Sequence, residues 1–122
     1  HRELFSYIHN LGALVKLHIC GDINHLLASI ATTGPDIVDL DWQVDVAETL
    51  NSAEMRQTKT LVRGNLDPAN ELLRGNPQDV LDASRKLIES VGRNTRFILG
   101  SGCEVVPKSP PEVTTRSPCL SL

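Results

Sequence analysis

The chain has 122 residues, of which 40% are hydrophobic and 22% charged, and its formal net charge is −3. This length suits one domain or part of one, and the composition is ordinary for a globular protein. Without a basic stripe to neutralise phosphates, a nucleic-acid partner is not expected. No apolar run approaches the roughly 20 residues of a membrane span, so no membrane association is expected either.

The three cysteines are Cys20, Cys103 and Cys119, an odd count without the spacing of a disulfide scaffold. No signal peptide is visible, and we expect a cytoplasmic protein. In a reducing cytoplasm, two of the thiols are expected to bind a metal rather than to form a disulfide. Cys119 is expected to have no functional role. The chain starts at His1, inside a helical pattern, so an upstream part is expected to be missing.

Helical and strand patterns alternate along the chain. Leu4, Phe5, Ile8 and Leu11 have helical spacing, which predicts a helix over residues 2–11 that ends at Gly12. Strands are predicted at 13–20, 37–42, 59–63 and 96–99, and the helices between them at 23–32, 46–55 and 77–91. The last of these helices has Asn76 as its cap and Pro77 in its first turn.

Strands that alternate with helices imply parallel pairing through right-handed crossovers. Four strands in about 100 residues are half of an eight-stranded TIM barrel, which takes about 250 residues. A small open sheet of the flavodoxin type also fits the pattern. We predict an α/β half-barrel with four parallel strands, because barrel sites lie at the carboxyl ends of strands. The unusual residues lie there: Cys20, Asp41, Asn65 and Cys103.

Two side chains of the first predicted strand are well placed to hold a metal. His18 and Cys20 are two residues apart, so on a strand they point to the same face. Cys103, just after the last strand, supplies a third ligand of a type that zinc prefers. We predict that His18, Cys20 and Cys103 bind one catalytic zinc, against the alternative that each cysteine is a buried structural residue.

Four further residues are predicted to bind substrate: Asp41, Asn65, Asp67 and Glu104. Asp41 or Glu104 is also a candidate for a fourth zinc ligand or a partner of His18. The segment Gly64-Asn65-Leu66-Asp67-Pro68 is either a strand-to-helix turn or, in addition, part of the substrate cleft.

Two pairs of residues near the strand ends complete the site predictions. Asp39 and Asp41 share a face, and we expect one to be solvated and the other to lie near the cleft. Gly100 and Gly102 indicate a close approach of the backbone rather than a phosphate site.

The end of the chain differs in character. Residues 113–122 have no helical period and are predicted to be a disordered tail. The predicted organisation is therefore a partial barrel domain over residues 1–112, followed by that tail.

Several segments within residues 3–112 resemble the C-terminal half of the uroporphyrinogen decarboxylase superfamily. They are His18-x-Cys20-Gly21, Gly64-Asn65-Leu66-Asp67-Pro68, Ser101-Gly102-Cys103-Glu104 and Pro110-Pro111-Glu112. The His-x-Cys…Cys set resembles the corrinoid-linked, zinc-dependent methyltransferases of the methylcobamide:coenzyme M type. The decarboxylases of that superfamily use no metal.

The resemblance implies a zinc-dependent methyltransferase, which moves a methyl group from a methylcorrinoid on a partner corrinoid protein to a zinc-activated small thiol. It also implies a complete TIM barrel, of which the N-terminal half and the final helix are missing here. The alternative is a metal-free uroporphyrinogen decarboxylase of porphyrin biosynthesis, or an inactive fragment of either enzyme. We expect the open edges of a half-barrel to pair with the missing half or with another copy.

Overall fold

The computed structural model describes residues 1–93 and 96–115. Its four strands form one sheet in the order β1-β2-β3-β4, with every neighbouring pair parallel. The strands are β1 Lys16–Ile19, β2 Ile37–Leu40, β3 Leu61–Leu66 and β4 Phe97–Ser101. This sequential order confirms the predicted section of a TIM barrel and differs from the 2-1-3-4-5 order of flavodoxin-like sheets.

Helices connect the strands. They are α1 Arg2–Asn10, α2 Leu27–Thr33, α3 Val46–Asn51, α4 Ala53–Arg56, α5 Pro77–Val91 and α6 Pro111–Thr115. The bounds of α5 are those predicted, since Asn76 and Asp79 form a capping box and Pro77 occupies the first turn. Among the described residues, none of the helices has the length and apolar character that crossing a membrane requires.

Two predicted helices differ from the observed ones, one by an internal break and one at its start. The helix predicted over 46–55 is interrupted at Ser52, whose backbone is extended and whose hydroxyl accepts a hydrogen bond from the Met55 N–H. Ser52 therefore ends α3 and caps α4. The helix predicted over 23–32 begins with a 3-10 turn, Asn24–Leu26, before α2.

The main core lies on the face of the sheet that meets the helices. Val38, Leu40 and Val62 from the strands pack there with apolar residues of α2, α3 and α4. The opposite face carries Lys16, His18, Asp39 and Arg63, at positions that alternate with those core residues along the strands. The candidate site is built on this second face.

The start of the predicted disordered tail is helical. Val113 of α6 is 2% exposed and packs with Leu66, Leu72 and Val80, so the boundary predicted after residue 112 falls inside a helix. Five residues with one buried anchor are too short to show a helical period, which explains the difference. The rest of the predicted tail, residues 116–122, lies outside the described residues.

Candidate metal centre

The three predicted ligands come from the two outer strands of the sheet. His18 lies on β1 and Cys20 follows that strand, while Cys103 comes two residues after β4. The chain after β4 turns across the ends of the middle strands: the Gly102 N–H donates to the Leu66 carbonyl over 2.7 Å. This turn carries Cys103 to the end of β1.

Gly102 makes that crossing possible. A Cβ atom at this position would lie 2.5 Å from the backbone nitrogen of Trp42, closer than real Cβ atoms approach other heavy atoms. Only glycine therefore lets the chain pass directly over the end of β2. The prediction that Gly102 marks a close backbone approach agrees with this geometry.

The donor atoms of His18, Cys20 and Cys103 all lie within 4.8 Å of one another. The two Sγ atoms are 3.8 Å apart, and the Cys20 Sγ is 3.3 Å from the His18 Nε2. From usual zinc bond lengths, two sulfurs on one tetrahedral zinc lie about 3.8 Å apart, and a nitrogen and a sulfur about 3.6 Å apart. The two measured separations are therefore close to those of a tetrahedral zinc, and one imidazole with two thiols is a donor set that zinc prefers.

A backbone hydrogen bond sets the orientation of the His18 ring. The Nδ1 of His18 is 2.9 Å from the main-chain oxygen of Asp39 on the neighbouring strand. With Nδ1 donating to that carbonyl, Nε2 is the nitrogen that faces the two sulfurs. Histidine ligands of metals are commonly held in this way through their second nitrogen.

The two thiols affect each other in the absence of a cation. A hydrogen bond to Cys103 and the repulsion between the two sulfurs raise the pKa of Cys20, and burial and the charge of Asp41 act in the same direction. The neighbouring sulfur therefore disfavours the thiolate form of Cys20. A bound divalent cation would reverse this effect, because it favours thiolates.

A charged network that was not predicted lies beside the ligands. Asp39 is 5% exposed, and its carboxylate contacts the Lys16 Nζ at 2.8 Å and the Arg63 Nη1 at 2.6 Å. The sequence does carry an indication of this network, because ionisable residues occupy alternate positions of three neighbouring strands. Parallel strands that are buried on both faces normally read as continuous apolar runs.

This network and the ligands border a cavity of about 300 Å³. Its lining consists of Lys16, His18, Asp39, Arg63, Ser101, Cys103, Glu104 and Val105. A Cβ atom on Gly100 would lie 2.7 Å from the Arg63 Cζ, so the absence of a side chain there makes room for the guanidinium group. The cavity gives a small molecule access to Cys103 and His18.

Of the predicted substrate-binding residues, Glu104 and Asp41 lie near the ligands. Glu104 is exposed and lines the cavity. Asp41 is 4% exposed, and one of its carboxylate oxygens accepts a hydrogen bond from the Gln43 N–H over 3.1 Å. The expectation that either Asp39 or Asp41 would be solvated is wrong, because the sheet and the loop after β2 bury both carboxylates.

The other two predicted substrate-binding residues, Asn65 and Asp67, have structural contacts. The Asn65 amide donates to the main-chain oxygens of Asp41 and Val44, and the residue lines a different cavity, beside α5. The Asp67 carboxylate accepts hydrogen bonds from Ala69 and Asn70, as expected for the turn interpretation. Burial acts to raise the pKa of Asp67, but these hydrogen bonds outweigh it and lower that pKa below its ordinary value.

The chain is similar to proteins of known families over most of its length. A family model described as Uroporphyrinogen decarboxylase (URO-D) matches residues 1–116. The Methylcobamide:CoM methyltransferases MtbA of Methanosarcina mazei and Methanosarcina acetivorans are 32% and 34% identical over 110 residues, 89% of this chain. A uroporphyrinogen decarboxylase of Prochlorococcus marinus is 36% identical over 98 residues, 79% of this chain and 25% of that protein.

A solved structure, a methyltransferase from Methanosarcina mazei, has the same fold over 98% of this chain, with a TM-score of 0.75 and 19% sequence identity. This chain covers 35% of that structure. It likewise spans 30% of the length of each of the two MtbA relatives.

Proposed function

Because the chain belongs to the uroporphyrinogen decarboxylase family, we propose that it is part of a zinc-dependent methyltransferase of that family. The reaction would move a methyl group from a methylcorrinoid, carried by a partner corrinoid protein, to a small thiol. The observation that carries the proposal is the grouping of one imidazole and two thiols within 4.8 Å, at the carboxyl end of a parallel sheet. The two relatives named methyltransferases, which match over 89% of the chain, support it.

In this proposal His18, Cys20 and Cys103 hold the zinc. When bound, the metal would supply a fourth position where the substrate thiol loses its proton yet stays nucleophilic. The chain's own contributions are the orientation of the imidazole by the Asp39 carbonyl and the cavity beside Cys103. At about 300 Å³ this cavity is at the lower end of the usual range for ligand pockets, so it suits a small substrate.

Four residues are proposed to contact substrate or metal around this centre. Glu104 lines the cavity, and Asp41 acts electrostatically on Cys20, so these two are the better supported, as substrate contacts or as a fourth ligand. Asn65 and Asp67 remain proposed substrate contacts, although their side chains already bond to the backbone of this chain.

The activity is proposed for a complete protein in the cytoplasm, in which residues 1–112 are part of a barrel domain. The chain has about 30% of the length of its methyltransferase relatives, so the missing part, or a second copy, would close the sheet beside β1 and β4. A reducing compartment would keep both thiols available for metal.

The second candidate is a uroporphyrinogen decarboxylase, a metal-free enzyme that releases carboxyl groups from a porphyrinogen. It is favoured by the relative of that name, which is 36% identical over 98 residues. A fragment of either enzyme that is inactive by itself is the third outcome.

The test is the demethylation of methylcob(III)alamin in the presence of small thiols, followed by absorbance, with the complete protein that contains this chain. Cys20→Ser and His18→Ala should reduce the rate at least about tenfold, because each removes a ligand. Cys119→Ser, which removes none of the proposed ligands, should leave the rate unchanged. A complete protein that demethylates with no thiol but decarboxylates a porphyrinogen would replace the first proposal by the second.

A further inference from the structure

The two cysteines at the site form a close pair of accessible thiols. Their Sγ atoms are 3.8 Å apart, Cys20 is exposed and Cys103 is half-buried. Each sulfur also faces a cavity or solvent, so a small reagent can reach the pair. Cys20 and Cys103 stand 83 residues apart in sequence, and nothing but the fold brings them together.

We propose that Cys20 and Cys103 form a reversible disulfide when no metal is bound. This modification would switch the site between a reduced form that can bind metal and an oxidised form that cannot. The proposal goes beyond methyl transfer and does not depend on it, since it needs only the two thiols and a small-molecule disulfide as oxidant.

Little movement separates the thiol pair from a disulfide. To form the bond, the sulfurs would move from 3.8 Å to about 2.05 Å apart. The backbone around Cys103 is already held by two contacts: the Gly102 N–H bonds to the Leu66 carbonyl, and the Ser101 hydroxyl donates to the Cys103 carbonyl over 2.7 Å. These contacts hold the segment that places Cys103 next to Cys20.

The chemistry is thiol–disulfide exchange with an external disulfide such as oxidised glutathione. The exposed Cys20 thiolate attacks one sulfur of that disulfide, which forms a mixed disulfide and releases one glutathione thiolate. The Cys103 thiolate then attacks the Cys20 sulfur and displaces the second glutathione thiolate. The two cysteine sulfurs lose two electrons to the glutathione disulfide, and the two released thiolates take up the protons that the cysteines lost.

The disulfide would exclude the metal. It removes two of the three donors and leaves only His18. Conversely, thiolates that are bound to a metal are not free to attack an external disulfide. Oxidation and metal binding therefore compete for the same two sulfur atoms.

The test uses the Cys119→Ser chain, freed of metal by a chelator and treated with oxidised glutathione. Intact mass should show the loss of two hydrogens, and peptide mapping should show Cys20 joined to Cys103. Dithiothreitol should restore both thiols. Zinc added before the oxidant should slow the loss of thiols at least about tenfold.

Two matched variants separate this disulfide from simple glutathione addition. Cys20→Ser and Cys103→Ser, each in the Cys119→Ser background, should stop at a stable glutathione adduct, because no second thiol can resolve it. The proposal is overturned if the Cys119→Ser chain itself stops at the adduct, or forms disulfides between chains instead of within one. Because the decisive readout is the mass of the unsubstituted pair, it is independent of whether methyl transfer is found.

Discussion

At the residue scale, Asp39 has two separate roles beside the metal ligands. Its main-chain oxygen holds the His18 ring, and its buried carboxylate holds the Lys16 and Arg63 side chains. The first role is independent of the side chain at this position. A substitution can therefore remove the charge network and leave the histidine orientation in place.

Replacing Asp39 by Asn should lower the free energy of unfolding by about 2 kcal/mol, because Arg63 and Lys16 then lose their counter-charge. Lys16→Met should cost less than about 1 kcal/mol, since Lys16 is half exposed and its ion pair is screened by solvent. Urea unfolding of both variants measures the two losses. An Asp39→Asn loss no larger than that of Lys16→Met would contradict the role given to Asp39.

The candidate site could be predicted in part from single residues. His18 and Cys20 share a face because strand side chains alternate, a property that is visible in sequence. The prediction that Cys103 lies near His18 and Cys20 was based on the rule that the carboxyl ends of parallel strands meet at one edge of the sheet. What brings Cys103 to the far side is the turn at Gly102 over Trp42, a tertiary contact without a local signal. The partners of Asp39 come from two other strands, so alternating ionisable residues indicate a polar face of the sheet but not which side chains pair.

At the element scale, hydrogen bonds to the Asp36 carboxylate connect helix α1 to the sheet. Asp36, just before β2, accepts hydrogen bonds from the Val15 N–H at 2.7 Å and from the His9 ring at 2.8 Å. The bond from Val15, and after it the bond from His9, holds the pKa of Asp36 below its ordinary value. These bonds join the end of α1, the segment before β1 and the start of β2.

The stabilisation by Asp36 should depend on pH in one direction. Because the pKa of Asp36 is lower in the folded chain, its contribution is present above the unfolded value of about 3.9 and is lost as the pH falls through the folded value. Asp36→Asn should therefore cost about 1 kcal/mol at neutral pH, and the difference from the unsubstituted chain should shrink below about pH 4. Urea unfolding between neutral and acid pH measures it.

Glu89→Gln is the matched control for this prediction. Glu89 is exposed on α5, and its carboxylate has no bonding partner among the described residues. The control should change the free energy of unfolding by no more than about 0.5 kcal/mol. A loss for Asp36→Asn that is the same at every pH, or that Glu89→Gln shares, would contradict the assignment.

Elements were predictable where their end signals are local. The capping box and the proline of α5 lie within four residues and mark the start of the helix, and Gly92 marks its end. Both bounds could therefore be predicted from sequence. The break at Ser52 was missed, because serine is also tolerated inside helices and the apolar spacing continues on both sides. Ile88, an apolar residue near the end of α5, is 40% exposed. Its neighbours depend on how α5 sits on the sheet, which helical spacing alone does not determine.

At the scale of the whole molecule, several large apolar side chains in the first 14 residues are exposed. Leu4, Tyr7 and Leu11 on or next to α1, with Leu14 just before β1, are all more than half exposed. In the described part of the chain, β1 and β4 each have a neighbour on one side only. Exposed apolar side chains and open strand edges both favour association.

The isolated chain should therefore self-associate at micromolar concentration under reducing conditions. Sedimentation velocity over a concentration series should show a rise in mean mass, and Leu14→Lys should reduce it, because a charge at the edge opposes strand pairing. Ile98→Lys, on the opposite edge strand and also partly exposed, compares the two edges. A monomer that unfolds cooperatively at every concentration tested would show that these four strands are stable without a partner.

The most direct test of the central claim is the metal content of the folded chain. After removal of loosely bound metal with a weak chelator, elemental analysis should find about one zinc per chain, both in the unsubstituted protein and in Cys119→Ser. Cys20→Ser and Cys103→Ser, shown by circular dichroism to be folded, should retain almost none. Folded protein that holds no zinc, or that holds it equally well after either serine substitution, would contradict the assignment of His18, Cys20 and Cys103 as one metal centre.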